Sequence, residues 1–597
     1  MLAGFKSYFE GRSSTIIVLI IPLSLSAFIH LYNPVGFPAI HVDEGTYVRW
    51  ALHYLAGLGP QERQLYDHPY FGQIFLAGVF KLIGYPDSLQ PSANGSDNAG
   101  KSIETLWLVP RVLMGLLAVV DTFLIYKISE YRYNNRKVAF IASILFAVMP
   151  LSWLTRRIWL DNIQLPFLLS SILFAVYPYS FKRNSSKEVE EEENNDSNSS
   201  SNSSQGQINN NNAKRNIVTA LLSGIFLGLA IFTKIPAIIM VPMVGFLIFT
   251  ANNSNIINRD KGKATKENSK LRSIILFRSN KNLKALGLWF IPVILIPAIW
   301  PAYAMSVNQF DDWLNGVYYQ TNRTTVKLSP LFDGLSDLFG IDPVLMILGA
   351  VGFIFMASVK RDILLLLWII PFLIFYYLLG HFTFFYFNLL IPAFCIAAAG
   401  FIVEVSNKFT RKKLLLRQQQ ILPFVIISVI GIFGFISTIL LSTPNASSFQ
   451  IKTAAFVAQY LNDNKNISSN NGNDRLTIIS SQIYSWIFRY VFDDANALNY
   501  RDYTSIKGDK YLLILDRYFS SYISHNAADS DDDSSSRQSK HIKQLELLNN
   551  SSKKIATFKG NIQNIDYHNY PYSGNSMAYA GGIRAIIRTG QLSDVKR

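Results

Sequence analysis

Long apolar runs separated by short charged loops recur along the first three quarters of this chain. Several extend beyond about 18 residues without a charge, the length at which a helix crosses the hydrocarbon core of a bilayer. The pattern predicts spanning helices at 15–32, 106–127, 138–154, 162–181, 217–233, 235–251, 285–304, 344–359, 362–380, 383–404 and 420–441. From 442 onward the pattern changes and no run of spanning length occurs. There, 451–461 has helical periodicity, and 476–480, 511–515, 555–558 and 583–588 read as strands. The predicted fold is an α-helical polytopic membrane protein with about 11 transmembrane helices, residues 1–441, followed by a soluble α/β domain, residues 442–597.

The polar segments refine this picture. The loop 33–105 is long and holds two amphipathic or re-entrant stretches, 44–58 and 69–83, suited to lie at the membrane interface. Residues 184–212 are rich in Ser, Asn and Glu, and read as a disordered loop. Residues 252–284 form a second polar loop, this one basic, and the Ser/Asp-rich stretch 527–539 reads as a mobile loop within the tail. No small-residue cleavage site follows the first span, so it reads as a retained helix. With a cytoplasmic N-terminus, cytoplasmic loops carry about 27 Lys and Arg against about 9 opposite, the positive-inside bias. Loop 33–105 and the tail would then both be extracytoplasmic, in a cell membrane or its equivalent.

Composition agrees. Half the 597 residues are hydrophobic and 14% are aromatic, while 16% are charged, against roughly 25% in an average soluble domain. The net charge of +15 comes mostly from short cytoplasmic loops. It reads as a topology determinant facing anionic lipid, with no nucleic-acid partner implied. The one cysteine, Cys395, lies in a predicted span, which leaves no intrachain disulfide and no cysteine-based metal site. No internal repeat is visible.

Candidate chemistry gathers on one predicted face. Asp43 and Glu44 follow the first span, where a carboxylate is positioned to take a proton from an acceptor hydroxyl. The same pair also reads as a helix start, with Asp43 as N-cap and Glu44 in the first turn. Arg156, Arg157 and Asp161 run against the positive-inside bias. Guanidinium forks suit phosphate, and an ion pair to Asp161 would fix one of them; interfacial snorkelling is the alternative. Lys234 interrupts about 35 apolar residues at a tight outer turn, where it must snorkel or meet an anion. Arg111, His68 and His381 extend the ring, and Tyr47 lies one turn beyond Asp43. His41, Asp43, His53 and His68 lack a strong ligand spacing such as His-Glu-x-x-His, so no metal and no cofactor is expected.

Four runs carry a resemblance: Asp43-Glu44-Gly45-Thr46-Tyr47, Asp67-His68-Pro69-Tyr70-Phe71-Gly72-Gln73, Pro110-Arg111 and Leu227 to Lys234. In this order they resemble the protein O-mannosyltransferases and the related lipid A aminoarabinose transferases, membrane enzymes of the GT-C class. The resemblance covers roughly residues 10–405. It implies an inverting glycosyltransferase, using a polyprenyl- or dolichyl-phosphate sugar and no nucleotide. The sugar would be mannose or another hexose, and the acceptor a hydroxyl of a protein, glycan or lipid. It also implies that Asp43 is the catalytic base with Glu44 assisting. His68, Arg111 and Lys234 match family positions; together with Arg156, Arg157, Asp161 and His381, which the loop-charge reading puts on the same face, they are expected about the donor phosphate and sugar, with Tyr47 and Tyr386 toward the acceptor. There are departures: Gln73 stands where the family motif has lysine, and His381-Phe-Thr-Phe-Phe-Tyr386 lacks the arginine many relatives carry. The β-trefoil insert of eukaryotic protein mannosyltransferases is absent.

Three other readings remain. The Trp-Trp-Asp-Tyr-Gly signature of oligosaccharyltransferase catalytic subunits does not occur. A transporter or flippase would show repeats and mid-membrane polar groups. A non-catalytic GT-C relative would retain the fold without turnover. Asn94, Asn322, Asn445 and Asn466 are glycosylation sequons predicted on the outer side.

Overall fold

The computed structural model describes residues 12–62, 66–85, 87–89, 96–193, 202–251, 280–322, 329–379, 384–413, 418–468, 476–492, 496–500, 510–516, 519, 522, 536–559 and 584–591. Helices coincide with all eleven predicted spans. They are α1 (Arg12–Leu31), α4 (Ser96–Tyr133), α5 (Arg136–Val148), α6 (Leu160–Glu193), α7 (Asn202–Thr233), α8 (Val241–Ala251), α9 (Asn280–Ser306), α12 (Pro343–Ser358), α13 (Ile363–Leu379), α14 (Ile391–Lys413) and α15 (Gln418–Ser442). Between them lie α2 (Val42–Leu55) and α3 (Phe71–Leu82) in the first loop, and α10 (Phe310–Asn322) and α11 (Ser329–Ile341). Among the described residues six helices are long and apolar enough to cross a membrane, and shorter apolar helices supplement them. This is a multi-pass membrane protein.

One predicted span is broken, and a second sharp bend immediately precedes another. The helix α5 ends at Val148 and continues, bent by 68°, as the 3-10 segment Pro150–Arg156. Pro150 provides no backbone donor for a continuing α-helix. The pair α11 and α12 bends by 118° at Asp342, whose carboxylate accepts from Leu345 N at 2.9 Å and from Leu151 N at 3.2 Å. Asp342 thus caps α12 and ties that corner to the broken end of α5.

Small residues set the helix spacing. Gly224 and Gly228 are four apart on α7, and α9 lies directly over both. A Cβ at Gly228 would stand 2.5 Å from Pro292 O. Gly352 of α12 does the same against α14, 2.6 Å from Ala397 O. Association of helices in lipid rests on such close backbone packing.

The loop expected to be disordered over 184–212 is helical at both ends, since α6 runs to Glu193 and α7 starts at Asn202; the run Glu190 to Glu193 is a good helix former. Residues 194–201 lie outside the described residues. Likewise α18 (Ser536–Ser551) begins inside the stretch expected to be a mobile loop, and 527–535 lies outside them.

In the tail, α16 (Ser448–Ser468) leads into β1 (Leu476–Ser480), α17 (Ser485–Tyr490), β2 (Ala497–Asn499), β3 (Lys510–Leu515), α18, β4 (Lys553–Lys559) and β5 (Arg584–Gln591). Four strands match the sequence reading, and β2, three residues long, is additional. The sheet order is β2-β1-β3-β5-β4, with β1 parallel to β2 and β3, and β5 antiparallel to β3 and β4. On one face Ile479, Tyr511 and Leu513 pack with Leu545 and Leu548 of α18. On the other, Ile478, Leu512, Ile514 and Ile587 join an apolar core that runs through α16 and α17 into the membrane helices.

Candidate active site

The helix α2 carries the two adjacent carboxylates, and the way it starts separates them. His41, not Asp43, is the N-cap. Its Nδ1 accepts from Asp43 N at 3.2 Å, and Glu44 reaches back to accept from His41 N at 2.8 Å. That is a capping box with Glu44 at N3. Asp43 is thereby spared the capping role the sequence suggested, and its side chain stays 39% exposed, beside His41 at 31%.

Glu44 has the opposite fate: it is fully buried. Its Oε1 accepts from Arg111 Nε and Ile158 N, both at 3.1 Å. Its Oε2 accepts from Arg111 Nη2 at 3.0 Å, Arg157 Nη1 at 3.1 Å and His41 N at 2.8 Å. Burial alone would raise this carboxyl, but Arg111 and Arg157 hold it below the ordinary value. With five donors on two oxygens, Glu44 is an anchor and not a proton acceptor.

Arg111 and Arg157, expected at the donor phosphate, are committed to that anchor. Arg111 Nη1 also donates to Pro34 O, Val35 O and Pro38 O at 3.2, 3.1 and 2.7 Å. Arg157 Nη1 donates to Ala39 O at 2.7 Å, and its guanidinium lies 5.3 Å from the Trp153 and Trp159 ring centres. Together they hold the 34–39 segment against α4 and the Pro150–Arg156 turn. Arg156 donates to Tyr32 O, while its Nε and Nη1 make no hydrogen bond among the described residues. Both guanidinium side chains are buried, so snorkelling does not explain them.

The ion pair expected between Asp161 and an arginine is instead made with Lys234, Nζ to Oδ2 at 2.7 Å. Both partners are buried. Lys234 sits at the turn after α7, where Gln164 Nε2 donates to Ala230 O at 2.8 Å and to Lys234 O. Its ammonium lies 5.1 Å from the Tyr386 ring centre. Tyr386, on the 3-10 segment Phe384–Leu389, stacks on Tyr376 at 5.6 Å. Tyr47 is buried near Asp161 and Tyr386. Burial, reinforced by Asp43, Asp161, Tyr386 and Asp67, pushes its phenol well above the ordinary value. The Tyr47 hydroxyl therefore stays protonated.

His68 packs against Tyr47 and Trp50, with ring centres 6.2 and 6.3 Å apart. Asp67 accepts from Gln320 Nε2 of α10 at 3.0 Å. Gln73 is buried and donates to Pro60 O. His381 lies outside the described residues. Thus Asp43, Tyr47, His68, Asp161, Lys234 and Tyr386 come together, with Glu44, Arg111 and Arg157 behind them as their support. Among the described residues no group of three or more His, Cys, Asp and Glu is placed to hold a metal.

Several participants were not singled out from sequence. Gln320 and Asn388, which pairs with Asn162, carry no local signal. The capping role of His41 had one, because Glu44 stands three residues after it.

No protein-family model and no curated protein sequence matches this chain. Among solved structures it is similar to the archaeal oligosaccharyltransferase AglB from Archaeoglobus fulgidus, in complex with an inhibitory peptide and a dolichol-phosphate. The identity is 12% and the TM-score 0.47, over 83% of this chain and 69% of that one. It is similar to ArnT from Cupriavidus metallidurans bound to undecaprenyl phosphate at 10% identity and TM-score 0.48, over 98% of this chain and 99% of that one. A third similarity, at 17% identity and TM-score 0.32, is to the S. cerevisiae protein O-mannosyltransferase complex bound to the sugar donor, over 49% of this chain and 34% of that one. All three are glycosyltransferases of the GT-C class.

Proposed function

We propose that this protein is an inverting glycosyltransferase that moves a sugar, mannose or another hexose, from a polyprenyl or dolichyl phosphate to an acceptor hydroxyl. The observation that carries the reading is the division of labour in one dipeptide. Asp43 is half-exposed at the start of α2, on a helix fixed from behind by a buried Glu44 that two arginines hold. A half-exposed carboxylate on a rigid helix is suited to general-base work.

In the reaction, Asp43 takes the proton of the acceptor hydroxyl as its oxygen attacks the anomeric carbon. The bond from that carbon to the phosphate oxygen breaks, and its electron pair leaves with the lipid phosphate. A single displacement inverts the anomeric centre, so one base suffices. The growing charge on the leaving phosphate needs a fixed cation in a water-poor setting. Lys234, buried and held on Asp161 at 2.7 Å, is suited to that role, with Tyr47 as a neutral hydrogen-bond donor beside it. His68, packed on Tyr47, borders the same space.

The active face is extracytoplasmic in this reading, with the N-terminus cytoplasmic. The loop-charge bias supports it. Tyr490 OH of the tail donates to Glu62 Oε1 of the first loop at 2.9 Å, so in this reading tail and first loop share that face. The acceptor is a protein, glycan or lipid hydroxyl. The test is mass spectrometry of glycoproteins and glycolipids from cells with and without the gene. A hexose missing from a defined product supports the reading, and identical profiles overturn it.

A further inference from the structure

The segment that carries Asp43 is held from the membrane side by Arg111 and Arg157, but it is held equally from the tail. At its start, Ile40 and Gln450 of α16 form a closed pair. Ile40 N donates to Gln450 Oε1 at 2.7 Å, and Gln450 Nε2 donates to Ile40 O at 2.9 Å. This occupies the backbone of the residue just before the His41 cap. Three residues earlier in the tail, Ser447 N donates to Gly36 O at 3.1 Å and Ser447 Oγ donates to Val35 O.

Further along, α17 lies on α2 at Gly45, two residues from Asp43. A Cβ there would stand 2.7 Å from Trp486 Nε1 and 3.5 Å from Gln482 O. Trp486 is nearly fully buried, edge-on to Trp107 of α4 at 5.8 Å, so it is not free to give way. At the end of α17, Tyr490 OH meets Glu62, which also pairs with Arg49 of α2 at 2.7 Å. Four tail residues, Ser447, Gln450, Trp486 and Tyr490, therefore reach the beginning, middle and end of one segment, 35–62.

We infer that the tail is a working part of the catalytic apparatus, with Gln450, Trp486 and Tyr490 as positioning residues that hold α2 and the Asp43 carboxylate in place. An acceptor specificity role alone would not require Gln450 to satisfy the backbone of Ile40. That Asp43 is the base rests on the proposed function, whereas the clamp itself rests on the contacts.

The test uses the full chain in lipid nanodiscs, with Gln450→Leu, Tyr490→Phe and Gly45→Ala, and Lys554→Ala on the exposed edge of the sheet as control. Hydrogen–deuterium exchange is followed in peptides covering 36–55 and, for comparison, 161–178. The expected result is about tenfold faster exchange in 36–55 for Gln450→Leu, with 161–178 and the Lys554→Ala protein unchanged. In a transfer assay with dolichyl-phosphate mannose, Gln450→Leu and Gly45→Ala should lower kcat severalfold and leave the donor KM within twofold. Unaltered exchange in 36–55 for all three variants overturns the clamp. Faster exchange in 36–55 with unaltered kcat overturns the positioning role. Faster exchange together with a wild-type protein that transfers no hexose leaves the clamp standing and overturns the proposed function.

Discussion

Replacing Glu44 by Gln and Asp43 by Asn changes two neighbouring carboxylates by one atom each, with opposite consequences expected. At Glu44 each oxygen accepts at least two donors, all between 2.8 and 3.1 Å. Whichever oxygen becomes an NH2, at least two of those donors then face another donor. Arg111 and Arg157 also remain buried without their counter-charge, a situation that costs about 3–5 kcal/mol. Asp43 makes no such set of contacts and is 39% exposed, so Asp43→Asn should move stability by about 0.5 kcal/mol or less. The assay is thermal unfolding of the purified protein in nanodiscs, followed by intrinsic tryptophan fluorescence, with both variants expressed side by side. A large fall in melting temperature for Glu44→Gln beside no fall for Asp43→Asn is expected. Equal melting temperatures for the two variants would refute the anchor assignment and the geometry behind it.

Three further outcomes follow from the same contacts. Lys234→Met leaves Asp161 buried and unpaired, and should destabilise by about 3–5 kcal/mol. Adding Asp161→Asn should recover much of the folding but not the transfer activity, read by melting and turnover in parallel. Gly228→Ala puts a Cβ 2.5 Å from Pro292 O, a backbone atom that cannot swing away, so the α7–α9 contact must open at a cost of about 1–3 kcal/mol. The check is melting temperature against Gly287→Ala on α9, where a Cβ meets nothing within 4 Å. Because Glu44 is held below its ordinary value of 4.5, its contribution is complete above pH 4.5 and is lost as the pH falls through the depressed value. A melting series taken below pH 4.5 should therefore show a loss that Glu44→Gln does not share.

How legible this was depended on the distance over which each feature acts. Helices and strands were readable because apolar length and alternation are local properties, and each of the eleven predicted spans coincides with a helix, six of them long and apolar enough among the described residues to cross a membrane. The side-chain pairings were not. Asp161 was matched to an arginine four or five residues before it, the nearest cations in sequence, but a helix start intervenes and its partner is Lys234, 73 residues on. Arg157 looked like a phosphate ligand because its charge opposes the loop bias, and Arg111 because it falls on the same predicted face and in a matched motif. The carboxylate that explains them, Glu44, is 67 and 113 residues away. The N-cap was misassigned for a different reason: aspartate is the commoner cap, and only the three-residue spacing from His41 to Glu44 reveals the alternative. The Gln450–Ile40 pair, spanning 410 residues, has no sequence signature at all.

In the proposed reaction Asp43 is the base of a glycosyl transfer from a lipid phosphate. The direct measurement is hexose transfer by Asp43→Asn and wild-type protein in nanodiscs, with dolichyl-phosphate mannose as donor and lipid-phosphate binding and melting temperature recorded on the same samples. The expected rate is lower by about 100- to 10,000-fold, with donor binding and melting temperature unchanged. Turnover within a few fold of wild type, in a variant that binds donor and melts normally, would contradict it.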